Sequence, residues 1–194
     1  VLMGLKHTDK FNIVLFAGGS NVYSEKSLPA TTSNIANAIN YMKNLEGGGG
    51  TELLSALQTA LKLGTDENIS RSFVILTDGY VSVEKEAFDF IRNNLGNANF
   101  FAFGIGSSVN RFIIEGMAHV GYGEPFIAID EAEGQKQAKK FISYISSPVL
   151  TNIDIKFSGF EAYEILPSKM PDLFAERPLI VTGKYTGNVT GTIE

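Results

Sequence analysis

A chain of 194 residues with 44% hydrophobic and 19% charged residues is long enough to bury a sizeable core and has the make-up of a folded globular protein. Its net charge of -5 argues against binding nucleic acid or an anionic membrane surface, both of which take a basic face. With no cysteine and two histidines, disulfides and zinc sites of the Cys/His kinds are excluded, so any metal would be held by oxygen.

Val1 to Leu5 has apolar residues at 1, 2 and 5 and reads as the last turn of a helix, an odd place for a protein to start. Lys6 to Asp9 is a polar connection in which His7, without an acidic or histidine partner at ligand spacing, is a solvated loop residue. Phe11 to Phe16 (FNIVLF) predicts a first strand, ended by Gly18-Gly19-Ser20, and Asn21 to Ser24 a short extra one before Pro29 marks a loop. From Asn34, Ile35, Ile39, Met42 and Leu45 recur at helical spacing, predicting an amphipathic helix that ends before Gly47. Gly47 to Gly50 then lead into Thr51-Glu52 and a second helix carrying Leu53, Leu54, Leu57, Ala60 and Leu61. Thr51 stands where a hydroxyl can cap that helix, and Glu52 suits its dipole.

Phe73 to Leu76 is an unbroken apolar run, as expected of a strand covered on both faces, and it runs straight into Thr77-Asp78-Gly79. Glu84 to Leu95 predicts a helix with Ala87, Phe90, Ile91 and Leu95 inward, and Phe100 to Phe103 another buried strand closed by Gly104 to Ser108. Asn110 to Val120 predicts a helix with Phe112, Ile113 and Met117 in the core; Phe126 to Ile129 is the next strand and Glu131 to Ile145 the next helix. This alternation predicts a doubly wound α/β domain, a mostly parallel sheet flanked by helices, over residues 1–147. From Pro148 the period changes to 2, with Ile153, Ile155 and Phe157 against Asn152, Asp154 and Lys156, and Leu179 to Tyr185 and Val189 to Ile193 read as short strands. Residues 148–194 are therefore the start of a β-rich, sandwich-like segment, too short for a self-sufficient β core.

Three constellations compete for function. Gly47 to Gly50 before a helix could cradle a phosphate, but the P-loop spacing is absent and a helix, not a strand, precedes the glycines; Gly104-x-Gly106 lacks the third glycine of a dinucleotide fingerprint. Nucleophilic hydrolysis has no G-x-S-x-G elbow and no cysteine, and His119, within a helix pattern and without a nearby nucleophile, reads as a partly buried structural histidine. The third constellation joins Thr51 to Asp78. A carboxylate at the carboxyl end of a parallel strand is where open α/β sheets bind ligands, although Asp-Gly also makes ordinary turns. A hydroxyl and a carboxylate are half of an oxygen site for a hard cation such as Mg²⁺.

The succession of FNIVLF, GGT with a helix behind it, ILTDG, FGIG and a helix with an Ala-x-x-Gly ending resembles a von Willebrand factor type A domain, and within that family the inter-alpha-trypsin inhibitor heavy chains and their bacterial relatives. Asn34 and the tail MPDLFAERPLIVTGKY from Met170 match that subgroup. The resemblance implies a metal-ion-dependent adhesion site in which Thr51 is the second-loop threonine and Asp78 the third-loop aspartate. The family's first loop, Asp-x-Ser-x-Ser, is not in the sequence and belongs upstream of Val1, with the central strand it ends and most of the first helix. Phe11 to Phe16 and Phe73 to Leu76 are then expected to have unpaired edges, to be satisfied by a homodimer or by the chain's own tail.

The reading that follows is a non-enzymatic protein-interaction or adhesion module that, in the intact protein, binds a partner's exposed carboxylate through Mg²⁺ or Mn²⁺, with weak or no metal binding by these residues alone. Loops at 18–24 and 107–110 would set selectivity. By resemblance, the location is the cell envelope or outside the cell. The rival readings are a metal-free scaffold between β-rich neighbours and, further off, a nucleotide-binding enzyme. No apolar run approaches the roughly 18 residues of a membrane helix, so direct membrane insertion is not expected.

Overall fold

The first apolar run does not fold as one strand. In the computed structural model, which describes residues 1–16, 21–45, 53–64, 69–78, 84–94, 98–146, 148–174 and 178–194, Lys10–Phe11 (β1) and Val14–Leu15 (β2) are separate strands of 2 residues each. β2 pairs antiparallel with Asn21–Val22 (β3), and β1 with Leu28–Pro29 (β4). Asn12 is the physical cause. Its Oδ1 accepts from the Ile13 N–H at 2.9 Å and the Ser24 N–H at 3.2 Å, and its Nδ2 donates to the Ser24 carbonyl at 2.7 Å. A side chain thus takes the place of ladder bonds between the two short strands.

Leu2–Gly4 is a 3-10 turn, in keeping with a helical end there. The first helix, Thr32–Lys43 (α1), starts ahead of Asn34 because Thr31 caps it, its hydroxyl accepting from the Asn34 N–H at 3.2 Å. Of the expected stripe, Ile35 packs with Phe11, Ala30 and Ala38, whereas Met42 and Leu45 are exposed. That cluster lies under the first half of the helix, so the stripe's second half finds no core to enter.

The remaining elements form the sheet and its layers: Leu53–Lys62 (α2), Ser72–Thr77 (β5), Glu84–Asn94 (α3), Asn99–Ile105 (β6), Arg111–Val120 (α4), Pro125–Ala128 (β7) and Glu131–Ile145 (α5). β5, β6 and β7 make a parallel three-stranded sheet in that order. Every β6 residue from Asn99 to Gly104 is buried, as a strand covered on both faces requires. Its side chains alternate between two cores. Phe100 and Ala102 face a cluster with Leu53 and Leu57 of α2, Ala87 and Ile91 of α3, and Ile113, Ile114 and Met117 of α4. Phe101 and Phe103 face an aromatic cluster with Phe126, Phe141 and Tyr144. The predicted inward position of Phe90 is met in part, since it packs half-buried against the first cluster; Leu95 lies outside the described residues.

Phe112, expected in the core, is instead 64% exposed. It sits in the first turn of α4, where Ile113 and Ile114 already fill the sheet-facing positions.

Beyond α5, Pro148–Leu150 (β8), Phe157–Ser158 (β9), Glu161–Leu166 (β10), Leu173–Phe174 (β11), Thr182–Thr186 (β12) and Thr192–Ile193 (β13) form antiparallel pairs β8–β11, β9–β13 and β10–β12. The period-2 pattern is met: Ile153, Ile155 and Phe157 are half-buried between exposed Asn152, Asp154 and Lys156. None of residues 178–194 is buried. The segment is tied to the sheet at Phe174, whose ring lies 5.9 Å from that of Phe101. Among the described residues, no strand lies on the β5 edge opposite β6, and β2 pairs with β3 alone. The tail strands pair among themselves or with β8 and do not fill the gap.

Candidate functional site

The three parallel strands end together. Thr77 is opposite Gly104, and Ile105 opposite Ala128, so Asp78, Ile105 and Ile129 lie at or just beyond one level at the carboxyl end of the sheet. Adjacent strands stand about 5 Å apart, which puts the Asp78 backbone one such spacing from Ile105. Thr77 is buried and Asp78 exposed, so β5 delivers a carboxylate to solvent at the place where open α/β sheets bind ligands.

Of the two predicted metal-ligating residues, Asp78 is placed there. Thr51, like Gly47 to Gly50, Glu52, Gly18 to Ser20 and Gly79, lies outside the described residues. A hard divalent cation such as Mg²⁺ takes about six oxygens in octahedral array. Asp78 is the right kind of donor, but among the described residues no group of three or more His, Asp or Glu side chains is placed to hold a metal ion. The described residues therefore fit such an ion at one position and do not complete a shell.

Close packing shapes the loop after β6. A Cβ on Gly104 would stand 2.6 Å from Val109 Cγ2 and 3.1 Å from Ile114 Cγ1, so the loop can close on the strand end only over glycine. Gly106 adopts φ +97° and donates its N–H to the Ala128 carbonyl at 2.8 Å. Asn110 then caps α4, its side chain accepting from the Ile113 N–H at 3.4 Å, and Asp130 caps α5, accepting from the Glu133 N–H at 2.8 Å. His119, expected to be partly buried, is exposed on α4, and His7 is exposed in its loop as predicted.

A buried polar cluster, not anticipated from sequence, sits at the opposite, amino-terminal end of the sheet. Asp172 accepts from Ser70 Oγ and, at 2.9 Å, from Asn99 Nδ2; Asp172 is 7% exposed and Asn99 0%. Asn99 Oδ1 is buried with no hydrogen-bond partner among the described residues. The partners are far apart in sequence, and the single local signal is a polar residue, Asn99, at the head of an apolar strand. Arg71 next to it has its guanidinium 4.4 Å from the Phe73 ring centre, and Nη2 donates to the Ala60 carbonyl at 2.6 Å. Burial lowers the Arg71 pKa from its ordinary value. A cleft of about 450 Å³ lined by Asp154, Phe157, Pro167, Ser168 and Lys169 lies in the β-rich segment.

Sequence comparison agrees with this geometry. A profile described as von Willebrand factor type A domain matches residues 1–125. A von Willebrand factor A domain-containing protein of Dictyostelium discoideum is 26% identical over 181 residues, 93% of this chain and 19% of the relative. Inter alpha-trypsin inhibitor, heavy chain 4, of Mus musculus is 25% identical over 197 residues, covering 95% of this chain and 21% of that protein. The chain thus spans about a fifth of the length of these relatives. Among solved structures, a von Willebrand factor type A protein from Catenulispora acidiphila superposes with a TM-score of 0.69 at 20% identity, over 96% of this chain and 48% of that one, a likeness of fold. No helix of the described residues is long and apolar enough to cross a membrane. The chain belongs to the von Willebrand factor type A domain family, whose members generally serve protein–protein interaction and adhesion.

Proposed function

We propose that this chain is the ligand-binding part of a non-enzymatic adhesion module. In the intact protein, Asp78 and Thr51 help to hold a Mg²⁺ or Mn²⁺ ion, to which a partner protein presents a carboxylate. The observation that carries this reading is the exposed Asp78 carboxylate at the carboxyl end of β5, directly after buried Thr77. The other ligands come from outside the described residues. The ion supplies a charged, directional contact for a carboxylate. This chain's own part is to offer an oxygen from a rigid strand end and to surround it with loops that select the partner. Kinship with the inter-alpha-trypsin inhibitor heavy chains supports a place in the cell envelope or outside the cell.

The test is Mn²⁺ titration followed by electron paramagnetic resonance on the full-length protein. Free Mn²⁺ should fall with saturable binding, and Asp78→Ala should abolish it while leaving the melting temperature nearly unchanged, as expected for an exposed residue. Equal Mn²⁺ binding by wild type and variant would remove Asp78 from the site, and no binding by either would favour a metal-free scaffold. The β5 edge that no described strand covers supports a further expectation, self-association of these 194 residues through strand pairing. Light scattering that gives a monomer mass at all concentrations would exclude it.

A further inference from the structure

We propose that Asn188 is an N-glycosylation site, taking an oligosaccharide from a lipid-linked donor, and that the fold keeps the chain's other site of the same sequence pattern, Asn68, bare. The proposal rests on the reading that places the protein in the cell envelope or outside the cell, the route on which such a donor is met.

The pattern Asn-x-Ser/Thr, with x other than proline, occurs twice, as Asn68-Ile69-Ser70 and Asn188-Val189-Thr190. By residue type the two are alike, since each has an acceptor amide, an apolar middle residue and a hydroxyl after it. Tertiary structure separates them. Asn188, Val189 and Thr190 are all exposed and form the connection between β12, which ends at Thr186, and β13, which starts at Thr192. Gly187, at φ +82°, turns the chain out of β12 just before them. Among the described residues, their one hydrogen bond is local, from the Thr190 N–H to the Asn188 carbonyl at 2.9 Å. This connection can therefore enter a transferase cleft without breaking a bond between strands.

Asn68 lies outside the described residues, but the hydroxyl its pattern requires is already engaged. Ser70 reaches the surface, yet its Oγ donates to Asp172, which also accepts from buried Asn99. The next residue is held at both ends: the Arg71 carbonyl accepts from the Asn99 N–H at 2.9 Å, and its guanidinium donates to the Ala60 carbonyl at 2.6 Å. Presenting Ser70 to an enzyme would open the cluster that joins the β-rich segment to the sheet, whereas presenting Thr190 opens nothing comparable.

In the transfer, the Asn188 amide nitrogen attacks C1 of an oligosaccharide carried on a lipid diphosphate. The N–C1 bond forms, the C1–O bond to phosphate breaks, the lipid diphosphate leaves with the electron pair, and the nitrogen releases one proton. The product sets a hydrophilic bulk beside Val189, 55% exposed, and so shields apolar surface of the β-rich segment from other chains.

The test is to express the full-length protein in a eukaryotic cell line, recover it from the medium, and weigh its peptides before and after peptide N-glycosidase, which converts a glycan-bearing Asn to Asp. The expected result is a glycan on Asn188 and none on Asn68. Asn188→Gln, and separately Thr190→Ala, should remove it completely, and Thr190→Ser should retain it, all with a melting temperature near that of wild type, as expected for exposed positions. Exported protein with Asn188 bare would overturn the proposal and leave the location reading standing. A glycan on Asn68 as well would overturn the selection by the fold. Protein kept inside the cell with both sites bare would overturn both readings.

Discussion

Replacing Asp172 tests how the β-rich segment is fastened to the α/β body. Asp172→Ala removes the acceptor of Ser70 Oγ and Asn99 Nδ2, at a site where Asp172 is 7% and Asn99 0% exposed. A hydrogen bond to a charged acceptor contributes about 1.5–3 kcal/mol. Two would be lost, and the Asn99 amide, whose Oδ1 has no partner among the described residues, would be left with neither end satisfied by them. Against this, the variant no longer buries a carboxylate, which recovers part of the desolvation cost. The net expectation is a loss of about 2–4 kcal/mol, a large share of the roughly 5–15 kcal/mol that holds a domain folded. Asp172→Asn keeps an acceptor oxygen without its charge and should cost about 1–2 kcal/mol. Urea denaturation followed by circular dichroism and tyrosine fluorescence measures both. The double variant with Asn99→Ala should lose less than the sum of the single losses, by about 0.5–3 kcal/mol of coupling. An Asp172→Ala protein within about 0.5 kcal/mol of wild type, or strict additivity, would refute the claim that this cluster clamps the two parts together.

Two further outcomes are expected from the same structure. Gly123→Ala should be destabilising by about 3 kcal/mol or more, because its Cβ would stand 1.4 Å from the Phe100 backbone oxygen; an unchanged denaturation midpoint would contradict that close approach. Lys140 donates to Glu124 Oε2 at 3.1 Å, and this bond raises its pKa above the ordinary 10.5. A raised folded pKa means the contribution is whole below pH 10.5 and disappears as pH climbs through the folded value. The pair is surface-exposed, so Lys140→Met should cost at most about 1 kcal/mol. Melting curves of the two proteins should differ at pH 8 and converge at alkaline pH above the folded value; a constant gap would refute the assignment.

What could be read from residue order was local. Glu131–Ile145 forms the helix its periodicity predicts, because helical spacing involves residues a few positions apart. The unbroken apolar runs at 73–76 and 100–103 marked parallel strands, but only the second is buried throughout: in the first Ile75 is buried, Phe73 and Val74 are half-buried and Leu76 is 49% exposed, because no described strand covers that edge; Asp78 stood out as the polar residue that ends it. Where periodicity met competition, it failed. Phe112 fits a helical stripe as well as Ile113 does, but the sheet-facing side of α4 has room for Ile113, Ile114 and Met117, and the phenylalanine is turned out. Phe11 to Phe16 has strand composition, yet the Asn12 amide bonds to Ile13 and Ser24 and divides it.

Sequence by itself thus determined the order of elements, the family and the strand end that carries Asp78. Tertiary structure alone decided which apolar residues face solvent beside it, that no described strand covers the far edge of β5, and that Asp172 and Phe174 fasten the β-rich segment to the sheet. The physical reason is one of range. A cap or a periodic stripe is a matter of neighbours along the chain, whereas burial at Phe112 or Asp172 depends on which distant residues have already occupied the space.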